Sequence, residues 1–236
     1  MESGLYTTLT RQSGLMREMQ VVAHNIANIS TTGFRREGVV FSEYIKRMEG
    51  APSLSMANGN GRHIDLRQAG LSQTGGTFDL AIQGDGFFLV ETAQGQALTR
   101  AGSFTPNGEG ELVNPDGHRL LDLGGAPIFV PPDAGTVAIS TDGTLSANGQ
   151  PLAQIGLWQP TDPLKLSHQG GTVFASDGVE PLEGGTILQG FVEESNVNPI
   201  SEIARMIAVQ RAYELGQGFL DKEDERMRSV IQALGR

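Results

Sequence analysis

Four histidines, His24, His63, His118 and His168, are the first residues to weigh for metal chemistry. No two stand three or four apart and no H-E-x-x-H is present, so the spacing of a tetrahedral zinc site is missing. The chain has no cysteine, which excludes thiolate ligands, disulfides and cysteine nucleophiles. Neither G-x-S-x-G nor a Walker A loop occurs. Gly84-Asp85-Gly86 begins like a dinucleotide fingerprint but lacks the third glycine and a following helix, so a hairpin turn is the better reading. Paired carboxylates could hydrolyse a polysaccharide, but sequence cannot bring two acids together from so many. The run Asp221-Lys222-Glu223-Asp224-Glu225 reads as a solvated helix face that pairs with Arg226 and Arg228. Asn28-Ile29-Ser30 matches the glycosylation sequon, as chance would produce at a helix end.

Side-chain amides offer a different chemistry. Asn25 and Asn28 close the first apolar segment, and Asn196 and Asn198 precede the last one. Asn bonds readily to nearby backbone. The plain reading is capping. The sharper one is a polar latch where the two ends of the chain meet an intervening arm.

The elements that must hold these residues are read from periodicity. Residues 2–29 carry Leu5, Leu9, Gln12, Met16, Met19, Ala23 and Ile26 at alternating four- and three-residue spacing, an a/d stripe with one polar break. Ser30-Thr31-Thr32-Gly33 stops that helix. Asn198-Pro199 starts the last helix, with Asn198 or Ser201 as cap. Ile203, Met206, Gln210, Tyr213, Gln217, Leu220, Asp224, Met227, Ile231 and Leu234 then follow the same spacing to the end. Each seam is too narrow for an ordinary core helix, so each needs a partner. Between residues 76 and 194, short apolar runs alternate with Asp85-Gly86, Asn107-Gly108, Asp116-Gly117, Asp142-Gly143, Asn148-Gly149 and Asp177-Gly178. Turn signals this frequent predict an all-β sandwich or small barrel.

The expected fold is α+β and multi-domain. Long terminal helices (1–30 and 195–236) pair as a coiled-coil-like layer, 31–75 form an extended arm, and 76–194 form the central β domain. Net charge is −10, with +2 in the first 36 residues, none in the last 37 and −12 between, which argues against a nucleic-acid partner. No apolar run reaches the roughly 18 residues of a membrane span. The N-terminus has no basic and apolar leader, so export by a route without a cleaved signal is expected. One Trp and three Tyr leave little for a wall-binding aromatic face.

Several segments together resemble the flagellar rod and hook proteins. Ala23-His24-Asn25-Ile26-Ala27-Asn28 through Thr32-Gly33-Phe34 is similar to that family's N-terminal signature, with His24 in place of the usual Asn. Asp79 through Phe88 and Thr99-Arg100-Ala101-Gly102-Ser103-Phe104 resemble its internal motifs. Ser195-Asn196-Val197-Asn198 through Met206-Ile207, with Gln210-Arg211-Ala212-Tyr213-Glu214, resembles its C-terminal signature. The resemblance implies a structural component without enzymatic activity or cofactor. Such a component is exported by the flagellar type III apparatus and assembles in the periplasm with copies of itself and other rod proteins. The compact stretch between Phe34 and Phe78 favours a proximal over a distal rod subunit. The implied assembly surface comprises Leu5, Leu9, Met16, Met19, Asn25, Ile26, Asn28 and Phe34 at one end. At the other it comprises Asn196, Asn198, Ile203, Met206, Gln210, Tyr213, Leu220, Met227 and Ile231. With seams this narrow, the helices are expected to order as they assemble, because backbone ordering costs roughly 1–2 kcal/mol per residue.

Overall fold

A computed structural model describes residues 2–48 and 51–234, with side chains described for 7–41 and 61–234. Two compact units emerge. One contains residues 1–27, 37–63 and 198–236, and the other contains 28–36 and 64–197. The chain therefore passes between the units four times.

The first unit holds helix α1 (Glu2–Ala27), the long strands β1 (Glu37–Met48) and β2 (Ala51–Ile64, all but its last residue), and helix α2 (Pro199–Leu234). α1 packs against both α2 and β1. The stretch read as an extended arm is thus largely a two-stranded sheet. Asn198 caps α2, its Oδ1 accepting from the N–H groups of Ile200 (3.0 Å) and Ser201 (3.1 Å).

The second unit is the β part. Its largest sheet has seven strands, in the order Ser167–Gly170, Val173–Ala175, Gly95–Thr99, Phe88–Thr92, Arg119–Leu120, Leu112–Val113 and Thr105–Pro106. A second sheet has three strands, Val137–Ile139, Thr144–Ala147 and Gln150–Gln154. Strand pairs Leu80–Gln83 with Thr186–Gln189, Leu71–Gln73 with Phe191–Glu193, and Trp158–Pro160 with Val179–Pro181 complete it.

Successive residues on a strand point to opposite faces. Phe88 and Val90 accordingly enter one apolar cluster with Leu80, Leu112, Leu120 and Ile128, while Phe87 and Leu89 enter another with Leu98, Leu121 and Phe174. The continuous run Phe87-Phe88-Leu89-Val90 is what a strand buried on both faces requires. At the hairpin joining Thr144–Ala147 to Gln150–Gln154, Asn148 (φ 52°) and Gly149 (φ 79°) both adopt the left-handed conformation that a two-residue turn demands.

Two glycines of the sequence motifs permit close backbone approach. A Cβ on Gly33, whose φ is 73°, would lie 2.2 Å from the Ala101 nitrogen. One on Gly102 would lie 1.6 Å from the Leu80 carbonyl oxygen.

Candidate functional site

The α1 stripe divides in the structure. Gln12 is buried, and Met19 and Ile26 are half-buried, alongside buried Leu15 and Val22. Leu9 and Met16 are 47% and 39% exposed, and Ala23 is exposed with them. The inward face is wider than an a/d seam because α1 has two neighbours, and Leu15 and Val22 fill it. Leu5 lies in α1, but its side chain is outside the described set.

On α2, Glu202 and Val209 are buried, and Met206, Tyr213 and Leu220 are half-buried. Gln210 is exposed, as are Ile203 (51%), Met227 (43%) and Ile231 (69%). Ile207 and Phe219 are further exposed apolar residues that the stripe did not include.

Polar contacts fix how the helices pair. Gln12 Nε2 donates to the Tyr213 carbonyl at 2.9 Å, Arg205 Nε donates to Glu18 at 2.8 Å, and Asn25 Nδ2 donates to Glu202 at 3.2 Å. Rising numbers on α1 meet falling numbers on α2, so the pair is antiparallel. Gly216 makes room for Gln12, since a Cβ there would stand 2.7 Å from Gln12 Nε2. α1 has 26 residues against 36 in α2. This register therefore leaves the last turns of α2, with Met227, Val230, Ile231 and Leu234, beyond the reach of α1.

Asn25 is fully buried and grips the first residue of β1 at two points. Its Oδ1 accepts from the Glu37 N–H and its Nδ2 donates to the Glu37 carbonyl, both at 2.9 Å. Asn25→Ala withdraws both partners from this backbone group. Its expected cost is about 2 kcal/mol, to be read as a lowered unfolding midpoint and faster hydrogen exchange at the Glu37 amide.

The second unit has its own latch. Arg35 is fully buried and donates to Glu193 Oε1 at 2.7 Å, and Arg100 donates to Glu193 Oε2 at 3.0 Å. The Ala69 N–H adds a third bond to this carboxylate at 2.8 Å, while Arg100 also reaches the Gly84 carbonyl and lies over the Phe87 ring. Burial lowers the pKa of Arg100 from the ordinary arginine value. Glu193 opposes that shift, and Arg35 adds to it. Asn196 accepts from the Arg36 N–H at 2.6 Å and donates to the carbonyls of Asp65 (2.8 Å) and Arg67 (3.0 Å). Phe34 is fully buried, with its ring stacked on His168. Asn28 is half-buried and accepts from the Thr31 hydroxyl at 3.1 Å.

The contacts that Phe34, Asn25 and Asn196 make here thus lie within their own units. Sequence reasoning missed Arg35, Arg100 and Glu193. The only available signal was that Arg35 and Arg100 lie in or beside the motifs.

Three family models match along the chain. The "Flagella basal body rod protein" model covers residues 5–35, the "Flagellar hook protein FlgE/F/G D1 domain" model 81–147, and the "Flagellar basal body rod FlgEFG protein C-terminal" model 188–233. The flagellar basal-body rod protein FlgF of Mesorhizobium japonicum is 38% identical across the whole chain and 99% of its own length.

The chain belongs to the flagellar basal-body rod protein family.

FlgF of Caulobacter vibrioides is 36% identical over the whole chain and 99% of that protein. The rod protein FlgG of Bacillus subtilis is 30% identical over 96% of this chain and 97% of its own. Membership in this rod family makes the chain a structural subunit of the flagellar basal body, and the family is not one of enzymes. The helix-bearing ends and the β part fall under separate family models.

Proposed function

We propose that this rod subunit polymerises through α1 and α2 into the axial tube of the proximal rod, which transmits torque across the periplasm. Supporting the proximal assignment, the two FlgF relatives are 38% and 36% identical, whereas FlgG of Bacillus subtilis is 30% identical. In this reading the chain reaches its place through the flagellar export apparatus without a cleaved signal and performs no catalysis.

One observation carries the proposal. Pairing of α1 with α2 leaves apolar side chains exposed on both helices, including Leu9, Met16, Ile203, Ile207 and Phe219. Such side chains stabilise contacts with neighbours at about 25 cal/mol per Å² removed from water. A head-to-tail contact that does not close yields a helical tube. The β part, on this reading, faces outward.

Met16→Asp tests it. Met16 lies off the buried face of α1, so the variant is expected to fold as the parent does and to be exported. It should fail to enter basal bodies, with swimming lost. Normal swimming together with normal incorporation would remove the helices from the assembly surface.

A further inference from the structure

A peptide nitrogen that follows an asparagine is within one bond rotation of that residue's side-chain carbonyl carbon, and a glycine leaves the nitrogen unhindered. Four Asn-Gly pairs occur, at Asn58, Asn60, Asn107 and Asn148. The side chains of Asn58 and Asn60 lie outside the described set. Asn107 and Asn148 share the reactive dipeptide but are held very differently.

Asn107 is half-buried and tied at each polar atom. Its Oδ1 accepts from the N–H groups of Glu109 and Glu111, both at 2.9 Å, and its Nδ2 donates to the Glu111 carboxylate at 3.3 Å. Its own N–H donates to the Glu111 carbonyl (2.8 Å), and its carbonyl accepts from the Gly110 N–H (3.0 Å). Attack by the Gly108 nitrogen requires turning the side chain and the next peptide plane, which breaks these bonds. The Glu111 carboxylate also disfavours a deprotonated nitrogen close by.

Asn148 is exposed in the two-residue turn that joins Thr144–Ala147 to Gln150–Gln154. Its Oδ1 accepts one bond, from the Thr136 N–H at 3.2 Å, and its Nδ2 has no partner among the described residues. Nothing lies within 4 Å of a Cβ added at Gly149, so water reaches that side freely.

We propose that Asn148 is a site of spontaneous modification, with water as co-reactant, while Asn107 is protected by its loop. The Gly149 nitrogen gives up its proton and bonds to Asn148 Cγ. The Cγ–Nδ2 bond breaks, and Nδ2 leaves with that proton as ammonia. Water then opens the cyclic imide. Opening at Cγ gives aspartate, and opening at the main-chain carbonyl carbon gives isoaspartate. The net change is water in and ammonia out. Isoaspartate puts an extra methylene into the turn beside the Ala147–Gln150 pair, so each copy of the chain carries a mark of its age. The inference stands independently of how the helices assemble.

The test incubates the unaltered full chain at mildly alkaline pH, folded and in concentrated guanidinium. Peptides from timed samples are followed by mass spectrometry, and isoaspartate is labelled by enzymatic methyl transfer from S-adenosylmethionine. In the folded chain Asn148 is expected to convert roughly tenfold faster than Asn107, the scale of one or two hydrogen bonds. Unfolding should bring the two rates close together. Equal rates in the folded chain, or faster conversion of Asn107, overturn the inference. A ratio that survives unfolding also overturns it, because the fold would then not select the site. Conversion of Asn148 without isoaspartate labelling would refute the cyclic route.

Discussion

Glu193→Ala is expected to destabilise the β unit by about 3–5 kcal/mol, because it strips two buried guanidinium groups of their shared counter-charge. Arg35 has no exposed side-chain surface and Arg100 has 2%. Neither can turn to water, and arginine does not discharge by losing a proton. The Ala69 N–H loses its acceptor at the same time. Trp158 is the chain's one tryptophan and lies in this unit, so its fluorescence in a urea titration reports the effect directly. Replacing Arg35, Arg100 and Glu193 together by apolar residues of similar volume should cost less than removing Glu193 alone. The penalty comes from stranded charge rather than from the lost attraction. Equal stability of Glu193→Ala and the parent would mean that the carboxylate neutralises nothing.

Gly102→Ala should be at least as damaging, with an expected loss of about 3 kcal/mol or more and a poor yield of soluble chain. The added Cβ falls 1.6 Å from the Leu80 carbonyl oxygen, a distance no side-chain rearrangement can relieve. The obstacle is backbone in a core strand that Gly102 itself pairs with, the Leu80 N–H donating to its carbonyl at 2.8 Å. Backbone must shift, and overpacking alone commonly costs 1–3 kcal/mol. Gly75→Ala is the control. Its φ is 73°, but nothing lies within 4 Å of an added Cβ, so only the left-handed penalty of about 1–2 kcal/mol applies. Thermal unfolding of the two variants side by side separates steric conflict from backbone preference.

Much of this architecture was legible from residue spacing. The terminal helices announce themselves by sustained three- and four-residue periodicity, and the Asn198-Pro199 start coincides with the beginning of α2. The turn dipeptides locate several hairpins because positive φ leaves few residue choices. β1 and β2 were less visible. Ala51–Ile64 contains Pro, Gly and Asn, all poor strand formers, and here pairing with β1 overrides local preference. Ile128 and Val130 fill the core, yet the backbone there forms an isolated bridge at Phe129 rather than a strand.

The site was harder to see. A stripe cannot say which of its edges faces inward, and on α1 a second neighbour drew Leu15 and Val22 into the buried sector while Leu9 and Met16 stayed out. The Arg35–Glu193–Arg100 cluster was invisible because its members lie up to 158 positions apart and no periodicity links them.

The four passages of the chain between its two units have a mechanical meaning. They fall after Ala27, Arg36, His63 and Val197. All four lie within two residues of a latch contact: Asn25 and Glu37 in one unit, Arg36, Asp65 and Asn196 in the other. A load applied to one unit reaches the other along four covalent cables in parallel, so each bears only a fraction of any twist. A single cut in one cable leaves the other three intact. For a subunit built into a rod, such redundancy separates wear from failure.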